Sequence, residues 1–146
     1  MTYFQKLLAT QGPAAVILVR LIVGCVFLSE GIQKFLFPGD QGVGRFTTIG
    51  IPAPEILAPF VGVCEIACGV LILLGLLTRF AAVTMIVNMI VAISTTKIPI
   101  LLDKGFWKMA HEARTDWAML LCSIFLLIVG AGPWSFDAKI GRRVES

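Results

Sequence analysis

Charged side chains are scarce in this sequence. Asp, Glu, Lys and Arg make up 14% of its 146 residues, whereas about 25% is usual in a soluble domain. Hydrophobic residues account for 58%, and a chain of this size cannot hide so much apolar surface inside one water-soluble core. The composition therefore argues against a helical bundle in water and indicates an integral membrane protein.

The short motifs that mark several enzyme classes are also missing. The sequence has no GxGxxG or Walker-type phosphate loop, no GxSxG nucleophile elbow and no HExxH zinc motif. No basic cluster with interleaved aromatic residues is present, so we expect no nucleic-acid partner. No ligand set for haem or an iron–sulfur cluster is visible either, so a redox role would need electrons from another protein.

Four long apolar runs are present instead, over residues 14–37, 55–77, 80–98 and 117–134. A helix needs about 20 mostly apolar residues to cross the hydrocarbon core of a bilayer. We therefore predict an all-α fold, an integral membrane four-helix bundle, in which residues 1–146 form one domain in contact with lipid.

The lengths of the connections set the expected topology. Only a few residues, 75–80, join the second and third runs, so these helices should form an antiparallel hairpin. Two longer loops, over 38–54 and 99–115, should then share the other side of the membrane, and a polar tail follows at 137–146. We expect a multi-pass protein of the cell membrane with both termini in the cytoplasm.

Small and polar residues share stripes at helical spacing on three of the runs. The stripes are Arg20, Gly24, Phe27, Gly31 and Lys34 on the first, Ala58, Gly62, Glu65 and Gly69 on the second, and Ala81, Thr84, Asn88, Ala92 and Thr95 on the third. Because small residues let membrane helices approach closely, we expect these stripes to face partner helices rather than lipid.

Arg20, Glu65 and Asn88 are the leading site candidates, because charged and polar groups inside a membrane span are costly. Counted at 1.5 Å per residue, Glu65 and Asn88 fall within about 10 Å of the depth of Arg20. We therefore predict that Arg20 and Glu65 interact inside the bundle, with Asn88 adjacent. Such a cluster either fixes the register of the helices or forms a polar pocket for a small amphipathic molecule such as a quinone.

Other polar residues are secondary candidates. Glu30 and Lys34 are spaced i, i+4, which favours an ion pair near the membrane interface. His111, Glu112 and Asp116 could offer ligands to a metal, but a catalytic zinc site needs three protein ligands in fixed geometry. Helix capping and surface pairing explain Asp116 more simply, so we predict no metal site.

Several short segments, taken in order, resemble the DoxX family of small bacterial and archaeal membrane proteins. They are RLIVG at 20–24, GIQKF at 31–35, GIP at 50–52, Glu65 followed by GVLILLGLLTR at 69–79, and GAGPWSFD at 130–137. The resemblance implies a four-helix membrane bundle in which Arg20, Lys34 and Glu65 occupy recurring positions, while Glu30 departs from the family pattern. It also implies a redox association, because some relatives are linked to thiosulfate:quinone oxidoreductase, to oxidative-stress complexes or to catechol and quinone resistance.

Two hypotheses about function follow. In the first, the protein is a redox-associated membrane subunit that binds a quinone between its helices. Arg20 holds a ring oxygen, Glu65 exchanges the proton, and a soluble or membrane redox partner supplies electrons. In the second, it is a non-enzymatic membrane anchor or scaffold that holds a soluble redox protein through the loop containing His111. A transporter would need a homo-oligomer, since four helices are few for one chain.

Overall fold

The structure is a computed structural model that describes residues 8–145, with the side chains of residues 8–143. Within that range every regular element is an α-helix, so the expected all-α fold is confirmed. The helices are α1 (Val16–Leu36), α2 (Val43–Thr48), α3 (Pro54–Leu74), α4 (Thr78–Lys104), α5 (Phe106–Glu112), α6 (Arg114–Val129) and α7 (Phe136–Glu145).

Three helices, α1, α3 and α4, are long and apolar enough to cross a membrane. Their outer faces carry exposed large apolar side chains, among them Leu18, Ile56 and Phe80, as expected of surfaces in contact with lipid. The protein is therefore a membrane protein. The fourth predicted run, 117–134, corresponds to α6, which has 16 residues and ends before Gly130, where the backbone turns to a positive φ of 83°.

The predicted second loop, 99–115, is wrong, because most of that segment is helical. Helix α4 continues through Pro99 as far as Lys104, and α5 follows directly. Pro99 removes one backbone donor and leaves the carbonyl of Thr95 without its usual partner, a loss that membrane helices tolerate. The tail predicted from residue 137 is likewise helical, as α7.

Helices α1 and α3 run antiparallel and approach closely at two pairs of glycines. A Cβ atom on Gly24 would lie 3.0 Å from the carbonyl oxygen of Gly69, and a Cβ atom on Gly31 would lie 2.7 Å from that of Gly62. Larger side chains at these positions would push the backbones apart. The predicted stripes of small residues on the first two runs are thus confirmed as the α1–α3 interface.

The long helices form two pairs, α1 with α3 and α4 with α6, which contact in the cyclic order α1–α3–α4–α6–α1. The core between the pairs is made of fully buried apolar side chains: Val23, Phe27, Ile72, Met85 and Leu126. The short connection between α3 and α4 and helix α7 lie at one end of this arrangement, whereas α2, α5 and the start of α6 lie at the other. We call these the hairpin end and the α2 end.

Candidate functional site

A cluster of three polar side chains lies between α1, α3 and α4. The ammonium Nζ of Lys34 donates to Glu65 Oε2 at 2.6 Å, and the amide Nδ2 of Asn88 donates to Glu65 Oε1 at 2.8 Å. Glu65 is only 3% exposed, so its two carboxylate oxygens are satisfied by protein groups from two different helices. We call these three residues the Glu65 cluster.

The glycine contacts explain why Lys34 can reach Glu65. Gly31 precedes Lys34 by three residues on α1, and Gly62 precedes Glu65 by three residues on α3, so each glycine shares a helical face with the charged residue that follows. The close approach of the backbones at Gly31 and Gly62 lets the Lys34 chain turn inward over α3. The predicted pair of Glu30 and Lys34 is therefore wrong, because Lys34 is bonded to Glu65 instead.

Arg20 does not meet Glu65, so the predicted Arg20–Glu65 interaction is also wrong. The contact of Gly24 with Gly69 sets a register in which Arg20 lies opposite Leu73, at the hairpin end. Glu65 lies eight residues earlier on α3, about 12 Å away along the helix axis. Counting residues from the ends of each apolar run is too coarse to reveal this difference in depth between Arg20 and Glu65.

The guanidinium of Arg20 instead binds four backbone carbonyl oxygens. It donates to Ile72 O at 2.9 Å and Leu73 O at 2.6 Å, in the last turn of α3. It also donates to Ala131 O at 3.1 Å and Trp134 O at 2.7 Å, in the turn after α6. Carbonyls at a helix C-terminus lack intrahelical partners and carry partial negative charge. Arg20 therefore has a structural role in joining α1 to α3 and to the end of α6.

Sequence reasoning missed a second group at the hairpin end, the carboxylate of Asp137. It accepts the backbone N–H of Leu77 at 2.7 Å and of Thr78 at 3.0 Å, at the N-terminus of α4, and it is 1% exposed. Free N–H groups at a helix start favour an acidic partner in this way. The only available signal was the position of Asp137 in the GAGPWSFD segment. Together, Arg20 and Asp137 join all four long helices at this end.

The remaining candidates do not converge on one place. Glu112 pairs with Lys108 at 2.9 Å, and Asp116 pairs with Lys97 at 3.1 Å. His111 is exposed on α5. Within residues 8–145, no group of three His, Cys, Asp or Glu side chains is arranged to hold a metal ion.

A cavity of about 620 Å³ lies beside the Glu65 cluster and extends towards the α2 end. Its walls are mainly apolar, with Phe27, Phe46 and Met85 among the lining side chains, and the three residues of the Glu65 cluster are part of the lining. Glu30 also lines the cavity; it is half-buried and makes no hydrogen bond or ion pair with another described residue. A volume of about 300–1,000 Å³, mostly apolar with a few convergent polar groups, is typical of a site for a small organic molecule.

Comparisons with known proteins agree with the helical membrane architecture. The chain is 54% identical over 149 aligned positions to Rv3486, an uncharacterized membrane protein of Mycobacterium tuberculosis, covering 98% of this chain and 91% of that protein. It is 32% identical over 136 positions to CatD of Bacillus subtilis, a protein provisionally named an oxidoreductase, covering 89% and 93%. No solved structure matches the chain. The DoxX family model matches residues 15–98, more than half of the sequence, and the chain therefore belongs to the DoxX family.

Proposed function

We propose that this protein binds a quinone, or a similar small amphipathic ring, in the cavity beside the Glu65 cluster, as a redox-associated membrane subunit. The observation that carries the proposal is the position of a buried carboxylate, hydrogen-bonded through both of its oxygens, in the wall of a mainly apolar cavity of about 620 Å³. Ionisable residues within membrane spans mark functional sites by default, and this one adjoins a space large enough for a ligand.

The Glu65 cluster offers the donors that a ring oxygen needs. An ammonium group has three N–H donors and a side-chain amide has two, while Lys34 and Asn88 each give one to Glu65. The remaining donors of Lys34 and Asn88 are free to bind a quinone oxygen by hydrogen bonds, and the Lys34 bond is charge-assisted. Lys34 thus takes the role that the sequence suggested for Arg20, because four of the five N–H donors of Arg20 bind backbone carbonyls instead.

In a redox role, a soluble or membrane partner would supply electrons to the bound quinone, and Glu65 would exchange the accompanying proton. The name of CatD supports this redox association, since it describes that relative as an oxidoreductase, although only provisionally. The mixed lining of the cavity combines mainly apolar walls with the Glu65 cluster and with the charged side chains of Glu30, Arg45 and Asp116. Such a lining suits a ring that is apolar on its faces and polar at its oxygens.

A binding measurement tests the proposal. Purified protein in lipid nanodiscs should bind decylubiquinone, and Glu65→Gln should weaken the affinity by about tenfold or more. The matched control is Glu55→Gln, the same change at an exposed residue in the first turn of α3, which should leave the affinity unchanged. Asn88→Leu provides a second variant of the cluster, and thermal unfolding shows that each variant is folded. Absence of decylubiquinone binding by the wild-type protein would refute the proposal.

A second candidate function is that of a membrane anchor for a soluble redox protein. It is favoured by α5, which projects at the α2 end with Trp107 84% exposed and with His111 and Lys108 also exposed. A partner captured by the wild-type protein, but lost on changing Lys108 or His111 and retained on changing Glu65, would support this function over quinone binding. Association of copies of the chain into a homo-oligomer would be measured in the same preparations.

We also propose that α6 is a fourth membrane crossing and that the hairpin end lies in the cytoplasm together with both termini. Helix α6 packs along α4 and presents Leu121, Phe125 and Ile128 on its outer face. Its 16 residues rise about 24 Å, somewhat less than the hydrocarbon thickness, and local thinning of the bilayer accommodates such a mismatch. Reporters that are active only in the cytoplasm are fused to the N-terminus in one variant and to the C-terminus in another. Activity at both ends is expected; activity at only one end would contradict four crossings, and activity at neither would contradict the orientation.

A further inference from the structure

The cavity reaches the outer surface of the protein between α3 and α4. Three exposed lining residues are apolar: Phe60 of α3 is 61% exposed, and Val87 and Val91 of α4 are 56% and 48% exposed. The exposed polar lining residues, Arg45 and Thr115, lie at the α2 end. Phe60, Val87 and Val91 lie on helices that are long and apolar enough to cross a membrane. The opening that they border therefore faces the hydrocarbon core rather than water.

The opening lies at the depth of the Glu65 cluster or towards the α2 end from it. Val87 neighbours Asn88 in the chain, and Phe60 precedes Glu65 by five residues, about 7.5 Å along α3. The side of the cluster towards the hairpin end is filled by the buried core side chains of Val23, Ile72 and Leu126. When the head of a bound molecule contacts the cluster, the rest of that molecule can therefore extend through the apolar opening between α3 and α4.

We infer that the ligand enters sideways from the bilayer and carries a linear apolar tail, which passes between α3 and α4 at Phe60, Val87 and Val91 while its polar head contacts the Glu65 cluster. This inference rests on the proposed function and narrows its ligand class from small rings in general to ring lipids with a tail. A tail-less ring would leave the apolar opening unfilled, and a tail would place apolar surface against apolar surface in the lipid phase.

The test uses a substitution that narrows the opening and leaves the residues of the Glu65 cluster unchanged. Val87→Trp adds bulk at the opening, and Val83→Trp is the matched control, because Val83 lies one turn away on α4, is 46% exposed and does not line the cavity. Binding of decylubiquinone and of the tail-less ubiquinone head is measured for both variants in nanodiscs of one lipid composition. Val91→Trp replaces Val87→Trp if thermal unfolding shows that the latter does not fold.

Val87→Trp should weaken decylubiquinone binding by about tenfold or more, while Val83→Trp should not, and neither should change binding of the tail-less head. Equal affinities of the two variants for decylubiquinone would overturn the inference.

Binding of monoolein, a single-chain acyl lipid, distinguishes a failure of this inference from a failure of the proposed quinone function. If monoolein binds with the same sensitivity to Val87→Trp and neither quinone binds, the sideways entry stands and the quinone function fails. If neither the quinones nor monoolein bind, both fail.

Discussion

Asn88 Nδ2 donates to Glu65 Oε1 at 2.8 Å, and this bond joins α4 to α3 in the wall of the cavity. The partner of Glu65 on the other side, Lys34, belongs to α1. Glu65 therefore accepts one bond from its own helix pair and one from across the boundary between the pairs. A ligand that contacts Lys34 or Asn88 alters the bonds of Glu65 and so acts on the contact between the pairs.

The effects of Lys34 and Glu65 on the free energy of unfolding should be coupled, because their opposite charges pair inside the protein. Lys34→Met and Glu65→Gln each remove one charge and leave the other unpaired among apolar groups, so each should destabilise the protein by about 3–5 kcal/mol. The double variant should recover a large part of that loss, because it leaves no buried charge. Denaturant unfolding in detergent measures the three variants. Losses that simply add in the double variant would contradict the pairing.

Arg20 should act on stability and not on ligand binding. Arg20→Lys keeps the charge but cannot reproduce the planar set of donors that bind four carbonyls. It should cost about 2–3 kcal/mol, as expected for losing a charge-assisted hydrogen bond. Decylubiquinone affinity, measured below the unfolding temperature, should stay unchanged. Arg142→Lys, at an exposed position on α7 that does not line the cavity, is the control, and a loss of affinity in Arg20→Lys would show that Arg20 contacts the ligand.

Gly31 should tolerate no side chain. A Cβ atom there would lie 2.7 Å from the carbonyl oxygen of Gly62 and 2.9 Å from the backbone nitrogen of Ile66. Because the obstacle is backbone, Gly31→Ala should separate α1 from α3 and cost about 1–3 kcal/mol. Gly39→Ala is the matched control, since nothing lies within 4 Å of its Cβ position. Thermal unfolding compares the two, and equal unfolding temperatures would rule out the close helix contact.

Glu112 on α5 should titrate at lower pH than an ordinary glutamate. Lys108 donates a hydrogen bond and places a positive charge 2.9 Å away, which lowers the pKa of Glu112. Since the folded-state pKa is lowered, the contribution of the pair to stability is present above the ordinary glutamate pKa and is lost as the pH falls through the folded value. Titration followed by carboxyl-carbon NMR measures the shift. Lys108→Met should return the pKa of Glu112 towards its ordinary value, whereas Lys104→Met should not.

Helical periodicity was enough to place most of the interior. Gly24, Gly31, Gly62 and Gly69 were assigned to facing stripes because a 3.6-residue repeat puts them on one side of each helix, and the structure confirms their contact. The same repeat placed Glu65 and Asn88 between helices, where the structure finds them bonded. Such predictions are easier for membrane-spanning helices, because a polar side chain in the span almost always faces the interior of the helix bundle.

It was harder to predict which polar side chains bond to each other, because this depends on how far one helix is shifted along another. Arg20 and Glu65 were placed at similar depth by counting from the ends of each run, yet the glycine register puts them about 12 Å apart. Asp137 was assigned to a polar tail, since no sequence rule connects it to the start of α4, 59 residues earlier. Such long-range bonds to backbone groups depend on the folded arrangement and not on local pattern.

The bonds of Arg20 and Asp137 are concentrated at the hairpin end, while the cavity occupies the half of the molecule nearer the α2 end. We therefore expect the half at the hairpin end to resist deformation more than the half around the cavity, which we call the yielding half. A change in membrane thickness or lateral pressure shifts helices at small energetic cost, and it would act chiefly on the yielding half. Lipid composition should thus tune how readily the cavity is occupied, even when no residue of the protein changes.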